Sequence, residues 1–415
     1  MDKTPLSPRR QFFKTLAAGA ALGPAGLTIA KGGTKPGSNP VDGKTFPDIL
    51  RGEVLRTGGN LSADGRSLLE SERAIPLTGK TQVIVCGGGP AGISAALAAA
   101  RAGAEVHLIE LAGCLGGVWT AGLLTKILDT KNKGGIMAEL LTEFSKRGSG
   151  VARKTKGTVY DPEIAKVVLE ELLVEAGVKI RLHTRVVGAV IDKTNRLSAI
   201  ITESKSGRQA WTADRFVDCT GDGDLAAQAG CRFELGTGSD CLCQPMSMLA
   251  LLTGVDPEKV APYLRETSAS AKPKLLKIME DAGIEPTYRS PTLRHLHSGI
   301  YSLMTNHEYG VSAFDAGAIS KATIQARREI HEIVHGLRKV GGIWKDLAVV
   351  ATAEQIGVRE GRRTRGRYEI TAEDLAQGLR HKEAVARANF AIDVHALAAH
   401  GDRKFDHNFA KGGLK

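Results

Sequence analysis

Gly87, Gly89 and Gly92 stand as G-x-G-x-x-G directly after the strand-like run Val83, Ile84 and Val85. Glycine at the first position permits a tight turn. At the second it lets the backbone approach a diphosphate, and at the third it lets a helix pack on the strand. Pro90, Ala91 and Gly92 open an alanine-rich stretch whose first N–H groups and partial positive charge would face an anion. Glu110 closes the next apolar run, "AEVHLIE", where a carboxylate accepts hydrogen bonds from ribose hydroxyls and repels a 2′-phosphate. The constellation is that of a dinucleotide cradle; the alternative is an ordinary strand–helix–strand unit with coincidental glycines.

A second set of residues could handle a substrate. "REGRRTRGR" carries Arg359, Arg362, Arg363, Arg365 and Arg367, whose guanidinium forks suit carboxylate or phosphate. Arg359 and Arg362 are the first candidates; the alternative is a solvated face paired with Glu354 and Glu360. His395 follows Asp393 by two residues, so an extended backbone would turn both to one face. Such a histidine is either a proton acceptor or a packed core residue. Gln244 and Ser247 are weaker polar candidates. His295 and His297 lack a visible third ligand, so both are read as surface residues and no metal is expected. The six cysteines are too sparse for a disulfide framework and are read as buried thiols, although Cys241 with Cys243 or Cys231 remains a possible pair in an exported protein.

The surrounding elements place these groups in an α/β chain. Its 415 residues exceed one small core, and its 42% hydrophobic and 24% charged composition is ordinary for a globular protein. No apolar run reaches the roughly 18 residues of a spanning helix, so no stable membrane span is expected. The net charge of +11 suits acidic substrates and cofactor phosphates. No zinc-finger or aromatic RNA-binding signature accompanies it, so no nucleic-acid partner is expected. The longest predicted helix is "AISKATIQARREIHEIVHGLRK", with Ile324, Ile330, Ile333, Val334 and Leu337 marking its apolar side. At the N-terminus, Arg9 and Arg10 precede Gln11, Phe12, Phe13 and Lys14 and an alanine/glycine stretch. This resembles a twin-arginine signal, implying the export machinery as a partner, a location outside the cytoplasm and cleavage after Ala30.

After Glu110 the loop "LAGCLGGVWTAGLL" carries Leu115, Gly116 and Gly117. Further on, "RFVDCTGDGDLAAQAG" sets Thr220, Gly221 and Asp222 between a strand and a helix. Both resemble segments of enzymes with a glutathione-reductase-like FAD-binding fold. The later segments "QPMSMLALLTGVD", "QARREIHEIVHGLRK", "ATAEQIGVREGRRTRGRYEITAEDL" and "AIDVH" resemble, in order, the bacterial FAD-dependent oxidoreductases. The resemblance covers roughly residues 70 to 414 and implies FAD as cofactor. It implies a Rossmann-like doubly wound FAD-binding domain over 78–235, after a signal at 1–30 and a linker at 31–77. An inserted mixed α+β substrate domain would fill 236–360, with a return segment over 361–415. By the same resemblance, Gly116 and Gly117 run along the pyrophosphate and the backbone near Val186 and Val187 reaches the adenine. Thr120, with Trp119 and Gly122, borders the flavin ring, Trp119 being equally a core residue. Thr220, Gly221 and Asp222 meet the ribityl or phosphate side, Asp222 serving also as a helix N-cap. Arg359 or Arg362 would stabilise reduced flavin, and His395 would take a proton from an alcohol as hydride leaves.

The chain departs from that family at Gly361, where serine is usual. It lacks the redox cysteine spacing of disulfide reductases, a second G-x-G-x-x-G for nicotinamide, and the aromatic motif of flavin halogenases. Relatives continue beyond "NFAKGGLK" into a glycine/alanine-rich helix whose N-terminus supports the flavin pyrimidine edge, so a truncated or split product is expected. The expectation is an exported enzyme acting on a small polar molecule, carbohydrate- or carboxylate-like, with a separate electron acceptor. The alternatives are a non-catalytic fragment that binds the ADP half of FAD, and a sulfur-transferring thiazole synthase using Cys219 or Cys231.

Overall fold

The computed structural model describes residues 58–150, 157–238, 242–389 and 393–398. The proposed signal, Cys241 and the closing "NFAKGGLK" lie outside the described residues. The described residues divide into two units, one ending at Glu72 and one beginning at Arg73. In the first, Gly59–Leu61 pairs antiparallel with Leu68–Glu70. All further elements belong to the second.

Alternation of apolar residues gives way to a fully buried end in β1 (Leu77–Cys86), where Ile84, Val85 and Cys86 have no exposed surface. Such a run reads as a central strand covered on both faces. It is followed by α1 (Pro90–Arg101), β2 (Val106–Ile109), α2 (Gly135–Lys146), α3 (Pro162–Glu175), β3 (Lys179–Arg181), β4 (Arg185–Ile191), β5 (Leu197–Ser204) and β6 (Gly207–Asp218). The sheet order is β3-β2-β1-β6-β5-β4. Strands β3, β2, β1 and β6 run parallel, while β5 and β4 add an antiparallel edge. This is the doubly wound Rossmann-like arrangement, with α1, α2 and α3 sharing a core with β1 and β2 through Val85, Ile93, Leu97, Leu108, Phe144 and Leu169. Gly103 at φ +91° follows α1 and lets the chain reverse into β2.

A second, antiparallel sheet holds β7 (Leu249–Thr253), β8 (Thr292–His297), β9 (Ile300–Met304) and β10 (Ala348–Thr352) in the order β8-β9-β7-β10. Helices α4 (Ala271–Asp281) and α5 (Ala316–Val340) share its core. Asp315 caps α5 by accepting from the Ala318 N–H at 2.9 Å. The seam of α5 is Ala322, Ala326, Ile330, Ile333, Val334 and Leu337. Ile324, expected on that seam, is 59% exposed, because two residues from Ala322 the helix has turned to its far side. No helix among the described residues is long and apolar enough to cross a membrane.

Candidate functional site

The glycine turn is determined by sterics. A Cβ on Gly87 (φ +101°) would lie 2.1 Å from the Cys219 carbonyl oxygen, and one on Gly92 would lie 1.8 Å from the Gly87 oxygen. Neither position accepts a side chain. Gly89 differs: a Cβ there meets nothing within 4 Å, so the space beside it is open. Gly89 is also the N-cap of α1, Pro90 occupies the first turn, and no side chain caps this helix end. Open space beside an uncapped helix N-terminus is what a diphosphate needs.

Glu110 is 8% exposed and holds the turn from below. Its Oε2 accepts from the Gly88 N–H at 2.5 Å and its Oε1 from the Ala112 N–H at 2.7 Å. Two accepted bonds leave lone pairs on both oxygens for ribose hydroxyls. The Glu110 N–H donates to the Arg181 carbonyl, and its carbonyl accepts from Thr184, which brings the start of β4 alongside. There Val186 is buried, whereas Val187 is 36% exposed.

The loop after Glu110 returns to the turn. The Gly116 N–H donates to the Gly88 carbonyl at 2.8 Å, and a Cβ on Gly117 would lie 3.1 Å from the Gly89 Cα. Gly116 (φ +109°) and Gly117 (φ +52°) both need left-handed backbone. Thr120 is 1% exposed and spends its hydroxyl on the Leu115 carbonyl, so it braces the loop from inside. Trp119 packs edge-on against Tyr160 in the core shared with α1–α3, and Tyr160 Oη donates to the Trp119 carbonyl at 2.9 Å.

The second turn is organised by Asp218, which the sequence reading passed over. Its Oδ1 accepts from both the N–H and the hydroxyl of Thr220, and its Oδ2 from the Ala226 N–H. An acid two residues before a threonine is an Asx-turn signal and could have revealed it. Asp222 is not the N-cap: Gly223 is, at φ +67°. The Asp222 side chain instead packs on Gly361, where a Cβ would sit 2.1 Å from Oδ1. That contact explains glycine at 361. Burial, then Asp224, raise the Asp222 pKa, against Arg362. Gly221 (φ +91°) borders open space. Cys219 sits beneath both turns, and burial, then Asp218, push its thiol up to about 11, which keeps it protonated and disfavours sulfur donation.

The arginines separate. Arg362 donates from Nη1 to the Asp222 carbonyl (3.1 Å) and Asp224 Oδ1 (2.7 Å), and lies 4.0 Å from the Phe314 ring centroid. It therefore ties the 359–367 stretch to the second turn. Arg363 and Arg365 pair with Glu360, Glu234 and Glu369 at the surface. Arg359 turns elsewhere, its Nη2 lying 3.1 Å from Ser247 Oγ and 3.3 Å from His307 Nε2. Guanidinium only donates, so Nε2 holds a lone pair and Nδ1–H faces Tyr309 Oη at 3.2 Å. The ring of His307 lies 5.0 Å from that of His395 and 4.3 Å from that of Tyr288. Gln244 Oε1 accepts the His395 N–H, and Asp393 Oδ2 stands 3.7 Å from His395 Nε2. The structure thus gathers Arg359, His395, Ser247 and Gln244 and adds His307, Tyr288 and Tyr309. His307 carried no sequence signal: "TNHE" has no periodicity, and its neighbour Glu308 is held by a bridge to distant Met246.

His295 is half-buried against Tyr301 rather than at the surface, because β8 lies within the sheet's hydrogen-bonded edge pair. His297 is exposed and bonds Asp161 at 2.6 Å. Among the described residues no group of three metal-ligating side chains occurs.

The two centres are connected. The N–H groups of Glu354 (3.0 Å) and Gln355 (3.4 Å) donate to the Ala121 carbonyl, so the loop from Gly117 reaches the segment that leads to Arg359.

Three solved structures share the general arrangement at low likeness. The myxobacterial chondrochloren halogenase aligns with a TM-score of 0.45 and 15% identity, over 69% of this chain and 65% of its own. A geranylgeranyl bacteriochlorophyll reductase-like protein of Thermoplasma acidophilum gives 0.43 and 14%, over 69% and 66%. L-proline dehydrogenase of P. horikoshii gives 0.41 and 14%, over 71% and 83%. The chain spans just under two thirds of the first two. No curated protein sequence matches it. Residues 82–412 match the family described as FAD dependent oxidoreductase. That match begins at the strand feeding the open glycine turn and runs through the arginine stretch, so the chain belongs to the FAD dependent oxidoreductase family and its cofactor is FAD.

Proposed function

We propose that the protein oxidises or reduces a small polar organic molecule, carbohydrate- or carboxylate-like, and passes electrons to a separate acceptor. The observation that carries this reading is the Arg359–His307–His395 group, whose Arg359 follows a segment bonded to the loop that packs on the glycine turn. Gly87, Gly89, Pro90, Ala91 and Gly92 would hold the diphosphate of FAD. Glu110 would hold the ribose, and Gly116, Gly117, Thr220, Gly221 and Asp222 would border the remainder. Val187 supports the adenine through its backbone. Bound FAD supplies the hydride-accepting chemistry. His395, with Asp393 3.7 Å from its Nε2, would serve as the base for a substrate hydroxyl. Arg359 offers its fork to a carboxylate or developing oxyanion, with Ser247 fixing its aim.

The test is anaerobic bleaching of the yellow protein by a panel of sugars and hydroxy acids. His395→Ala should slow bleaching by about 100-fold or more while FAD stays bound. Bleaching at the parent rate, or a purified protein without flavin absorbance, defeats the proposal. We further propose twin-arginine export, supported by the Arg9–Lys14 pattern. Lysine at both positions 9 and 10 should leave the protein in the cytoplasm; unchanged secretion would refute it.

A further inference from the structure

Lys126 follows the loop that leads from Gly117 and pairs with Val159 in a short two-stranded ladder. It is only 7% exposed, yet its ammonium makes no hydrogen bond or ion pair among the described residues. A buried lysine without a partner is rare and costly. Its neighbours worsen the cost. Thr125 Oγ1 bonds Ser302 Oγ at 2.7 Å, and Ser302 is the register partner of Arg294, so the two cations share a corner. Arg265 joins through its N–H to the Leu293 carbonyl, and Lys272 lies 5.9 Å from the Tyr288 ring centroid. The Glu266 side chain is fully buried beside them and committed through Oε1 to Arg294. Its Oε2 meets no donor. Burial, then Arg294, press the Lys126 pKa down to about 8, against Glu266 and with Arg265 and Lys272 adding to the fall. Tyr288 connects this corner to the substrate group, since its ring lies 4.3 Å from that of His307.

We propose that Lys126 and Arg294 form an oxyanion subsite that takes the carboxylate or sulfate group of the substrate, with Glu266 Oε2 accepting a hydroxyl of the same ligand. The corner has an excess of positive charge, an unmet donor and an unmet acceptor, and an anion bearing a hydroxyl satisfies all three. This rests on the functional reading above, for it names the substrate's charged end; neither the glycine turn nor the family match requires it.

The experiment is calorimetric titration of the FAD-loaded full chain with sodium sulfate and, separately, sodium glycolate, with flavin absorbance recorded on each sample. At pH 7 the parent should bind one of the two saturably, and the tighter one identifies the group. Lys126→Met and Lys126→Gln should weaken it by about tenfold or more. Lys126→Arg should retain binding and lose the fall in affinity that the parent shows above pH 8. Absence of saturable binding in the parent, or equal binding by the Met and Gln variants, overturns the subsite. Because FAD retention is read independently, colourless protein that still binds the anion sinks only the flavoenzyme reading. Yellow protein that binds neither anion sinks only this one.

Discussion

The glycine turn and the polar corner around Lys126 solve opposite problems. The turn is made of backbone, and its specificity lies in what is missing: Gly87 and Gly92 leave no room for a side chain, and Gly89 leaves room for something else. Its acidic side chain, Glu110, holds one N–H with each oxygen and keeps a lone pair on each for a ligand. The corner is made of long side chains, where the Lys126 ammonium has no hydrogen-bond partner among the described residues and Glu266 Oε2 meets no donor. The first is held by backbone geometry. The second gathers like charges at a cost in stability, as functional sites often do.

That contrast can be broken by substitution, most severely at the turn. Gly92→Ala forces a Cβ into the Gly87 carbonyl and should abolish the fold, seen as loss of the cooperative melting transition. Glu110→Ala should leave two buried N–H groups unpaired and cost about 2–4 kcal/mol by denaturant melting. Gly89→Val should melt like the parent yet lose flavin absorbance, because its side chain enters open space rather than packed backbone. If Gly89→Val retains FAD, the division between packing and ligand glycines fails.

The smaller effect sharpens the other side. Burial, then Glu329, raise Glu308 to about 7, so its folded form binds more protons than the unfolded chain between pH 4.5 and 7. Stability is therefore lost as pH rises through that window. Lys126, lowered from 10.5 to about 8, acts in the reverse sense: its penalty is complete below pH 8 and disappears as pH rises towards 10.5. Each slope should amount to on the order of 1–2 kcal/mol after solvent screening. Glu308→Gln should flatten the acid slope and Lys126→Met the alkaline one, measured by urea melts across pH. Parent-like slopes in both variants would remove electrostatic strain from the second region.

Much of the first region could be read along the chain. The spacing of Gly87, Gly89 and Gly92 lies within six residues, and sterics over so short a stretch leave one arrangement. Glu110 was legible because strand length places the end of β2 beside the turn, and the FAD cofactor followed from the family resemblance that the two turns and the later segments carry. Asp218, which organises the second turn, was passed over, and the N-cap alternative for Asp222 fell to Gly223, since aspartate favours turns and caps alike. The other region was barely visible. Arg359 and Arg362 look alike in sequence, yet one faces His307 and the other Asp224. His307 and Lys126 had no local signature at all.

The sequence by itself determined the βαβ unit and the glycine turn, because those depend on backbone freedom and hydrophobic period between near neighbours, and its motifs carried the resemblance to the family. Only the tertiary structure decided that Asp222 needs glycine at 361 and that Lys126 stands beside Arg294. It also decided that Arg359, His307 and His395 stand together. Those pairings join residues far apart in the chain, and electrostatics and close packing act through space, so no local pattern records them.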